Sequence, residues 1–230
     1  MIKNILIGFL CIFNLTFSYI NIHPTSFDKR IDFQGSFQEY TLENNSSNPL
    51  MYRIYLEEHR DKKLSMKDYI DYYPKSLTLK PGESGTIKVH ISSNCQIPKG
   101  EYFAILGIRE LPVFLEKSQD KSNIKILTDL KLSLMGYGGD IYSDLKFKNL
   151  KLINKNQKII LGGSIENIGE KRGKYEIYLN DYFLGNLRIL SKETLNLENL
   201  DFSSNEKILS KNKIKFLDYE TKELKYEINL

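Results

Sequence analysis

The sequence predicts an all-β protein built of two antiparallel β-sandwich domains behind an N-terminal signal peptide. Apolar and polar residues alternate through most of the chain, which is the period of a half-buried strand. Short runs of this kind are separated by turns rich in Pro, Gly, Asn and Ser. A glycine-rich stretch near the middle and a repeated segment divide the chain, whose 230 residues suit two small domains.

The N-terminus has the features of a secretory signal peptide. Lys3 supplies a positive charge, residues 5–17 are almost wholly apolar, and Thr16 and Ser18 place small side chains where a signal peptidase cleaves. The apolar run is short for a bilayer span, although an uncleaved membrane anchor is the alternative. We therefore predict that residues 1–18 are removed and that no stable membrane insertion follows.

The first half of the mature chain is predicted to be strands joined by turns. Strands are expected at residues 36–44, 51–57, 76–79, 86–92, 101–108 and 123–135. Residues 80–83, with sequence Lys-Pro-Gly-Glu, form a turn in which Pro presets φ and Gly accepts a positive φ. Residues 65–73 are ambiguous between a helical turn and an irregular edge. The number and spacing of the strands are those of an immunoglobulin-like sandwich.

The domain boundary is placed at a glycine-rich stretch. Gly136, Gly138 and Gly139 lie within four positions and interrupt the alternation, which indicates a bend between domains. The predicted domains are residues 19–137 and 138–230. Further strands are expected near the C-terminus, after a hairpin at residues 179–185.

A repeated segment supports two similar units. Residues 42–56 can be laid on residues 165–179 without a gap, and six residue pairs are identical. Asn44 and Asn167 occupy the same place in each copy, where an Asn side chain can bond its own backbone. We interpret each copy as a hairpin of a strand, a polar turn and a return strand; chance similarity between two hairpins is the alternative.

The sequence offers no enzymatic or cofactor motif. His23, His59 and His90 have no partners at metal-ligand spacing, and no phosphate-binding loop or nucleophile elbow is present. A formal charge of +4 with interleaved signs does not indicate a nucleic-acid partner. The only cysteines are Cys11, in the signal, and Cys95, so no internal disulfide is expected. We predict a non-enzymatic binding protein without metal or cofactor.

The first half resembles the N-terminal domain of periplasmic pilus-assembly chaperones. The similarity spans residues 22–137 and consists, in order, of residues 40–44, 49–55, 73–83, 97–104 and 129–134. Residues 166–167 and 179–185 are compatible with the smaller second domain of that family. The resemblance implies two immunoglobulin-like domains, a periplasmic location, a pilus or fimbrial subunit as partner, and an outer-membrane usher as a possible second partner.

The resemblance also implies a mechanism and its residues. In that family the last strand of the first domain is lent to a subunit that lacks a strand, and a basic pair binds the C-terminal carboxylate of the subunit. Carried over, Ile124, Ile126 and Thr128 fill the groove of the subunit. Lys131 matches the lysine of the basic pair, and Arg30 or Lys29 supplies its partner.

Several observations leave alternatives open. The spacing from Arg30 to Asn44 departs from the family pattern, and the usual aromatic-Arg-Pro after the last strand is replaced by residues 134–138. Ile124 and Ile126 could be core residues, and Lys131 and Arg30 could be ordinary surface charges. The alternative function is a secreted structural or adhesive surface protein without chaperone activity.

Overall fold

The structure is a computed structural model, and it describes residues 19–92, 96–112, 126–155, 158–200, 202–204 and 212–230. The predicted signal peptide, Ile124 and Cys95 lie outside the described residues. Within these ranges the helices are three-residue 3-10 turns, at Lys62–Leu64, Lys67–Tyr69 and Leu197–Asn199. None of the described helices is long and apolar enough to cross a bilayer. The predicted all-β fold class is confirmed.

The chain divides into two compact units. The first comprises the described residues up to Pro98 together with Tyr102–Gly138, and the second comprises Lys99–Glu101 together with Gly139–Leu230. Each unit has its own apolar core between two sheets. This is the arrangement of a β-sandwich, in which the inward-facing residues of both sheets meet.

The first unit contains two sheets. Its strands are β1 (Ile20–His23), β2 (Phe27–Arg30), β3 (Ser36–Asn44), β4 (Leu50–Glu58), β5 (Ile70–Tyr73), β6 (Ser76–Leu79), β7 (Ser84–Ile91), β8 (Gly100–Leu111) and β9 (Asp129–Gly138). One sheet has the order β1-β3-β7-β5 and the other, called here the five-stranded sheet, has the order β2-β9-β8-β4-β6. Strand β2 pairs with β9 in parallel, whereas the other registered pairs of this unit are antiparallel.

The core of the first unit follows from strand alternation. In β4, Tyr52 and Ile54 are buried, while Met51 and Arg53, which alternate with them, are exposed. Leu106 of β8 and Tyr40 of β3 are also fully buried. Each buried Leu or Ile side chain contributes about 1.5–3 kcal/mol by leaving water, so the alternation that predicted the strands also supplies much of the folding free energy.

The predicted glycine-rich bend is wrong for Gly136 and Gly138, because β9 continues through both residues. A Cβ at Gly136 would lie 2.6 Å from the side chain of Ile31, and one at Gly138 would lie 2.7 Å from the carbonyl oxygen of Pro98. These glycines therefore permit close packing within the strand. Gly139, which follows β9, has φ +77°, where glycine is favoured.

The second unit repeats the sandwich arrangement. Its strands are β10 (Leu145–Lys155), β11 (Lys158–Asn167), β12 (Gly173–Leu179), β13 (Tyr182–Ile189), β14 (Thr194–Asn196), β15 (Ser203–Ser204), β16 (Lys213–Asp218) and β17 (Leu224–Asn229). One sheet has the order β10-β11-β14, with β15 also paired to β11, and the other has the order β13-β12-β16-β17. The predicted hairpin at residues 179–185 is confirmed, since β12 and β13 pair around Asn180 at φ +55°.

The repeated segment is not a hairpin, contrary to the interpretation from sequence. Its first copy runs from β3 to β4 and its second from β11 to β12, and in each case the two strands belong to different sheets of the sandwich. Each copy is therefore a connection that crosses the core. Asn44 and Asn167, at the ends of β3 and β11, are fully buried there, because a crossing turn has backbone groups that must be bonded inside the protein.

Candidate functional site

Strand β9 has an open edge along its first half. Strand β2 is in register with Leu134–Tyr137 only. On its other side β9 is bonded to β8 along the five-stranded sheet. Over residues 129–133, no strand among the described residues lies on the side that β2 occupies further along. A strand edge of this kind presents backbone N–H and C=O groups that a second chain can pair with.

Side chains alternate between exposed and buried positions along the first half of β9. Leu132 and Leu134 are buried and Leu130 is half-buried, whereas Asp129, Lys131 and Ser133 are exposed. Thr128 and Ile126 are on the same alternation as the buried leucines. Thr128 is half-buried, but Ile126 is 87% exposed. Ile126 therefore alternates in step with the core leucines, but it lies beyond the end of the core and is exposed. The alternative that Ile126 packs in the core is wrong. Ile124 lies outside the described residues.

The start of β9 is bonded to Glu110 at the end of β8. The backbone N–H of Glu110 donates to the carbonyl oxygen of Thr128 at 2.8 Å. The backbone N–H of Thr128 in turn donates to Oε2 of Glu110 at 3.2 Å. Glu110 is 1% exposed. Glu110 was not predicted from the sequence, where the available signal was its position in the alternation of buried residues along β8.

A polar network, called here the Tyr55 network, lies on the outer face of the five-stranded sheet. The hydroxyl of Tyr55 donates to Oδ1 of Asp129 at 2.8 Å, and Arg109 donates to Oδ2 of Asp129 through Nε and Nη2. Gly107 is in register with Tyr55, and a Cβ there would lie 2.2 Å from its ring. The absent side chain lets the ring cross β8 and reach β9. The network was not predicted, because strand register is not visible in the sequence.

The network changes the acidity of its members. Burial alone would raise the pKa of Asp129, but hydrogen bonds from Tyr55 and Arg109 outweigh it and hold the pKa below its ordinary value. Burial and the hydrogen bond to Asp129 both raise the pKa of the Tyr55 hydroxyl. Asp129 is therefore ionised at neutral pH and fixes the first residue of β9 through charge-assisted hydrogen bonds.

The three basic residues proposed from sequence each have a local partner. Nζ of Lys131 lies 2.8 Å from Oε1 of Glu57, and this hydrogen bond is the main cause of the raised pKa of Lys131. Nε of Arg30 lies 2.6 Å from Oδ1 of Asp32. Lys29 donates to the carbonyl oxygen of Phe37 at 2.6 Å.

The structure does not bring Lys131 together with either candidate partner. Arg30 is in register with Tyr137, and Lys29 is in register with Gly136. Tyr137 is six residues beyond Lys131, which is about 20 Å along a strand. In this structure the two charges hold different carboxylates, Lys131 that of Glu57 and Arg30 that of Asp32. Lys131 lies beside the open edge of β9, whereas Arg30 and Lys29 are paired with the far end of that strand.

No metal-binding cluster of three His, Cys, Asp or Glu side chains occurs within the described ranges. His59 contacts the ring of Phe103 at 5.3 Å between centroids and bonds the backbone of Asp61. These contacts are structural.

Comparison with known proteins identifies the fold. No protein-family model matches the sequence, and no curated protein matches it. Solved structures do match. A chaperone–tip adhesin complex of CFA/I fimbriae biogenesis aligns with TM-score 0.53 and 16% identity, covering 93% of this chain and 98% of that one. The class 5 fimbriae chaperone CfaA aligns with TM-score 0.52 and 15% identity, covering 92% and 97%. The E. coli chaperone DraB aligns with TM-score 0.50 and 9% identity, covering 92% and 95%.

These alignments cover both units of the chain. At identities of 9–16% they establish the fold rather than the activity. The chain thus has the two-domain immunoglobulin-like fold of fimbrial chaperones, as the sequence predicted. The feature of this chain that is relevant to function is the open edge of β9.

Proposed function

We propose that this protein is a periplasmic chaperone of fimbrial assembly that lends β9 and the segment before it to a pilus subunit. One observation carries the proposal. The first half of β9 has an open edge, and Ile126, at the parity of the core leucines, is 87% exposed just before it. An isolated domain gains nothing from an apolar side chain placed there, whereas a partner with an incomplete core can bury it.

The physical basis is the addition of a strand to an incomplete sheet. A subunit that lacks a strand has unpaired backbone groups and an uncovered core, and a lent strand supplies partners for both. The backbone edge of residues 129–133 supplies the hydrogen bonds. Ile124, Ile126 and Thr128, at alternate positions, supply side chains for the groove. No chemical step is required, and the protein acts stoichiometrically.

Lys131 is the proposed anchor for the C-terminal carboxylate of the subunit. It is exposed, it lies within the open edge, and its ammonium already holds a carboxylate, that of Glu57. A subunit carboxylate would replace or share this contact, as charge-assisted hydrogen bonds allow. Arg30 and Lys29 are proposed as secondary contacts that act independently of Lys131.

The wider setting is part of the same proposal. One similar structure contains a chaperone with a tip adhesin, which supports a fimbrial subunit as the partner. An outer-membrane usher is proposed as a second partner from the family resemblance alone. The predicted signal peptide supports export to the periplasm. Residues 19–137 and 138–230 are the proposed domains, of which the first carries the lent strand.

The test is co-expression with a fimbrial subunit of the same organism, followed by affinity purification. We expect Ile126→Asp to abolish recovery of the subunit, because a charge cannot enter an apolar groove. Leu224→Asp is the matched control, since Leu224 is also exposed and apolar but lies on β17 of the second unit. Equal recovery with both variants contradicts the proposal and favours a structural or adhesive surface protein.

A further inference from the structure

A buried carboxylate lies where β9 begins. Glu110 points into the first unit, at the same parity as Leu106 and Ile108 of β8, and is 1% exposed. Its register partner on β4 is Tyr52, which is fully buried. Glutamate is rarely buried to this extent, because desolvation of a carboxylate is costly unless the group is bonded. The position therefore calls for an explanation other than core packing.

Glu110 binds both backbone groups of Thr128. Its N–H donates to the Thr128 carbonyl oxygen at 2.8 Å, and its Oε2 accepts from the Thr128 N–H at 3.2 Å. In a regular antiparallel ladder the Thr128 N–H would donate to a backbone carbonyl of the neighbouring strand. Here the carboxylate takes that place. Regular pairing ends at Thr128, and strand β9 begins at the next residue, Asp129.

We infer that Glu110 is a positioning residue that fixes the point at which the chain before Thr128 leaves the five-stranded sheet. By taking the Thr128 N–H with its side chain, it ends the ladder at this residue. Ile126 and Leu127 are exposed immediately beyond that point. The Tyr55 network holds the other side of the same junction at Asp129. The value of this junction for subunit binding rests on the proposed function, but the positioning itself does not.

The test is backbone amide hydrogen exchange, measured by NMR on the whole mature chain without any subunit. Glu110→Met keeps the side-chain length and removes the acceptor. We expect the Thr128 amide to exchange about tenfold faster or more, while the amides of Leu132 and Leu134 change together only as global stability changes. Glu110→Gln, whose amide oxygen still accepts, should restore the protection of Thr128.

An unchanged Thr128 exchange rate in Glu110→Met, or no rescue by Glu110→Gln, would overturn the inference. If the Met variant does not fold, Glu110→Asp draws the carboxylate back by one methylene and gives the same comparison. The outcome of this exchange measurement is independent of the outcome of the co-expression test. Loss of the Thr128 effect leaves the lent-strand proposal intact, and full subunit recovery with Ile126→Asp leaves the role of Glu110 intact.

Discussion

Asn44 and Asn167 make the same hydrogen bonds in the two units of the chain. Both are fully buried. Nδ2 of Asn44 donates to the carbonyl oxygen of Asn48 at 2.8 Å, and Nδ2 of Asn167 donates to that of Lys171, also four residues on, at 2.8 Å. Oδ1 accepts the backbone N–H two residues later in each, from Ser46 at 2.9 Å and from Gly169 at 3.0 Å.

The likeness extends to the turns that the two asparagines contact. The Asn44 carbonyl accepts from the N–H of Gly82, at φ +74°, and the Asn167 carbonyl accepts from the N–H of Lys192, at φ +62°. Glu83 and Glu193 follow, and each carboxylate accepts a backbone N–H at the start of its turn. The two units therefore share one structural solution for the connection that crosses the core.

We expect Asn44→Ala and Asn167→Ala each to lower the free energy of unfolding by about 2–4 kcal/mol, because each leaves buried backbone groups without partners. Chemical denaturation of the mature chain measures this. Asn186→Ala, at an exposed position, is the matched control and should change stability by about 0.5 kcal/mol or less. An effect of the buried substitutions no larger than that of the control contradicts the role assigned to the asparagines.

Gly82 gives a separate test of backbone conformation. No atom lies within 4 Å of a Cβ built there, so a side chain meets no clash. Gly82→Ala should therefore cost about 1–2 kcal/mol from the positive φ alone. Gly82→Asn should cost less, because Asn tolerates this region. Thermal unfolding of both variants checks the order, and equal losses would show that φ is not the cause.

Tyr55→Phe should raise the pKa of Asp129 toward its ordinary value, because it removes one of the donors that hold the carboxylate ionised. NMR titration of the Asp129 carboxyl measures the shift. Tyr73→Phe, on an exposed tyrosine, is the matched control. An unchanged Asp129 titration in Tyr55→Phe contradicts the hydrogen bond on which the network depends.

The same substitution changes how stability depends on pH. The lowered pKa of Asp129 contributes stability that is present above its unfolded value, about 4, and is lost as pH falls through the folded value. Tyr55→Phe should reduce this contribution, so its stability relative to wild type should improve as the pH falls below about 4. If the difference in stability between Tyr55→Phe and wild type stays constant as the pH falls, Asp129 is not coupled to Tyr55.

The separation of Lys131 from Arg30 predicts additive effects on subunit binding. The two side chains are paired with different carboxylates, and their backbones lie about 20 Å apart along the strand. A double-mutant cycle with Lys131→Ala and Arg30→Ala should therefore give a coupling energy within about 0.5 kcal/mol of zero. Subunit affinity is the measurement. A coupling of about 2 kcal/mol or more would restore the single carboxylate-binding pair that the resemblance implied.

Much of the fold could be predicted from alternation. The strands at residues 36–44 and 76–79 were predicted with their observed bounds, because one face of each is buried and polar turns end them. The crossing at Asn44 was missed, since a hairpin and a connection between sheets have the same local pattern. The role of Gly136 was missed because its close approach to Ile31 depends on tertiary packing.

The site could be predicted less well than the fold. Ile126 was identified because it lies in the last long strand predicted for the first domain, which the resemblance assigns to the groove of the subunit, and its exposure agrees with the proposed use. Glu110 and Tyr55 were not identified. The contact of Glu110 with Thr128 and that of Tyr55 with Asp129 depend on the register of β4, β8 and β9, which the sequence does not reveal. Sequence spacing likewise could not reveal that β2 meets β9 only from Leu134 onward.

The most direct test of the lent strand is amide exchange of the mature chain with and without a bound fimbrial subunit. Backbone groups alternate sides along a strand, and Thr128 faces β8, so the amides of Asp129, Lys131 and Ser133 face the open edge. Strand donation by β9 predicts that these three amides become protected in the complex while the Leu132 amide changes little. A stable complex in which all three exchange as fast as in the free chain would contradict strand donation by β9.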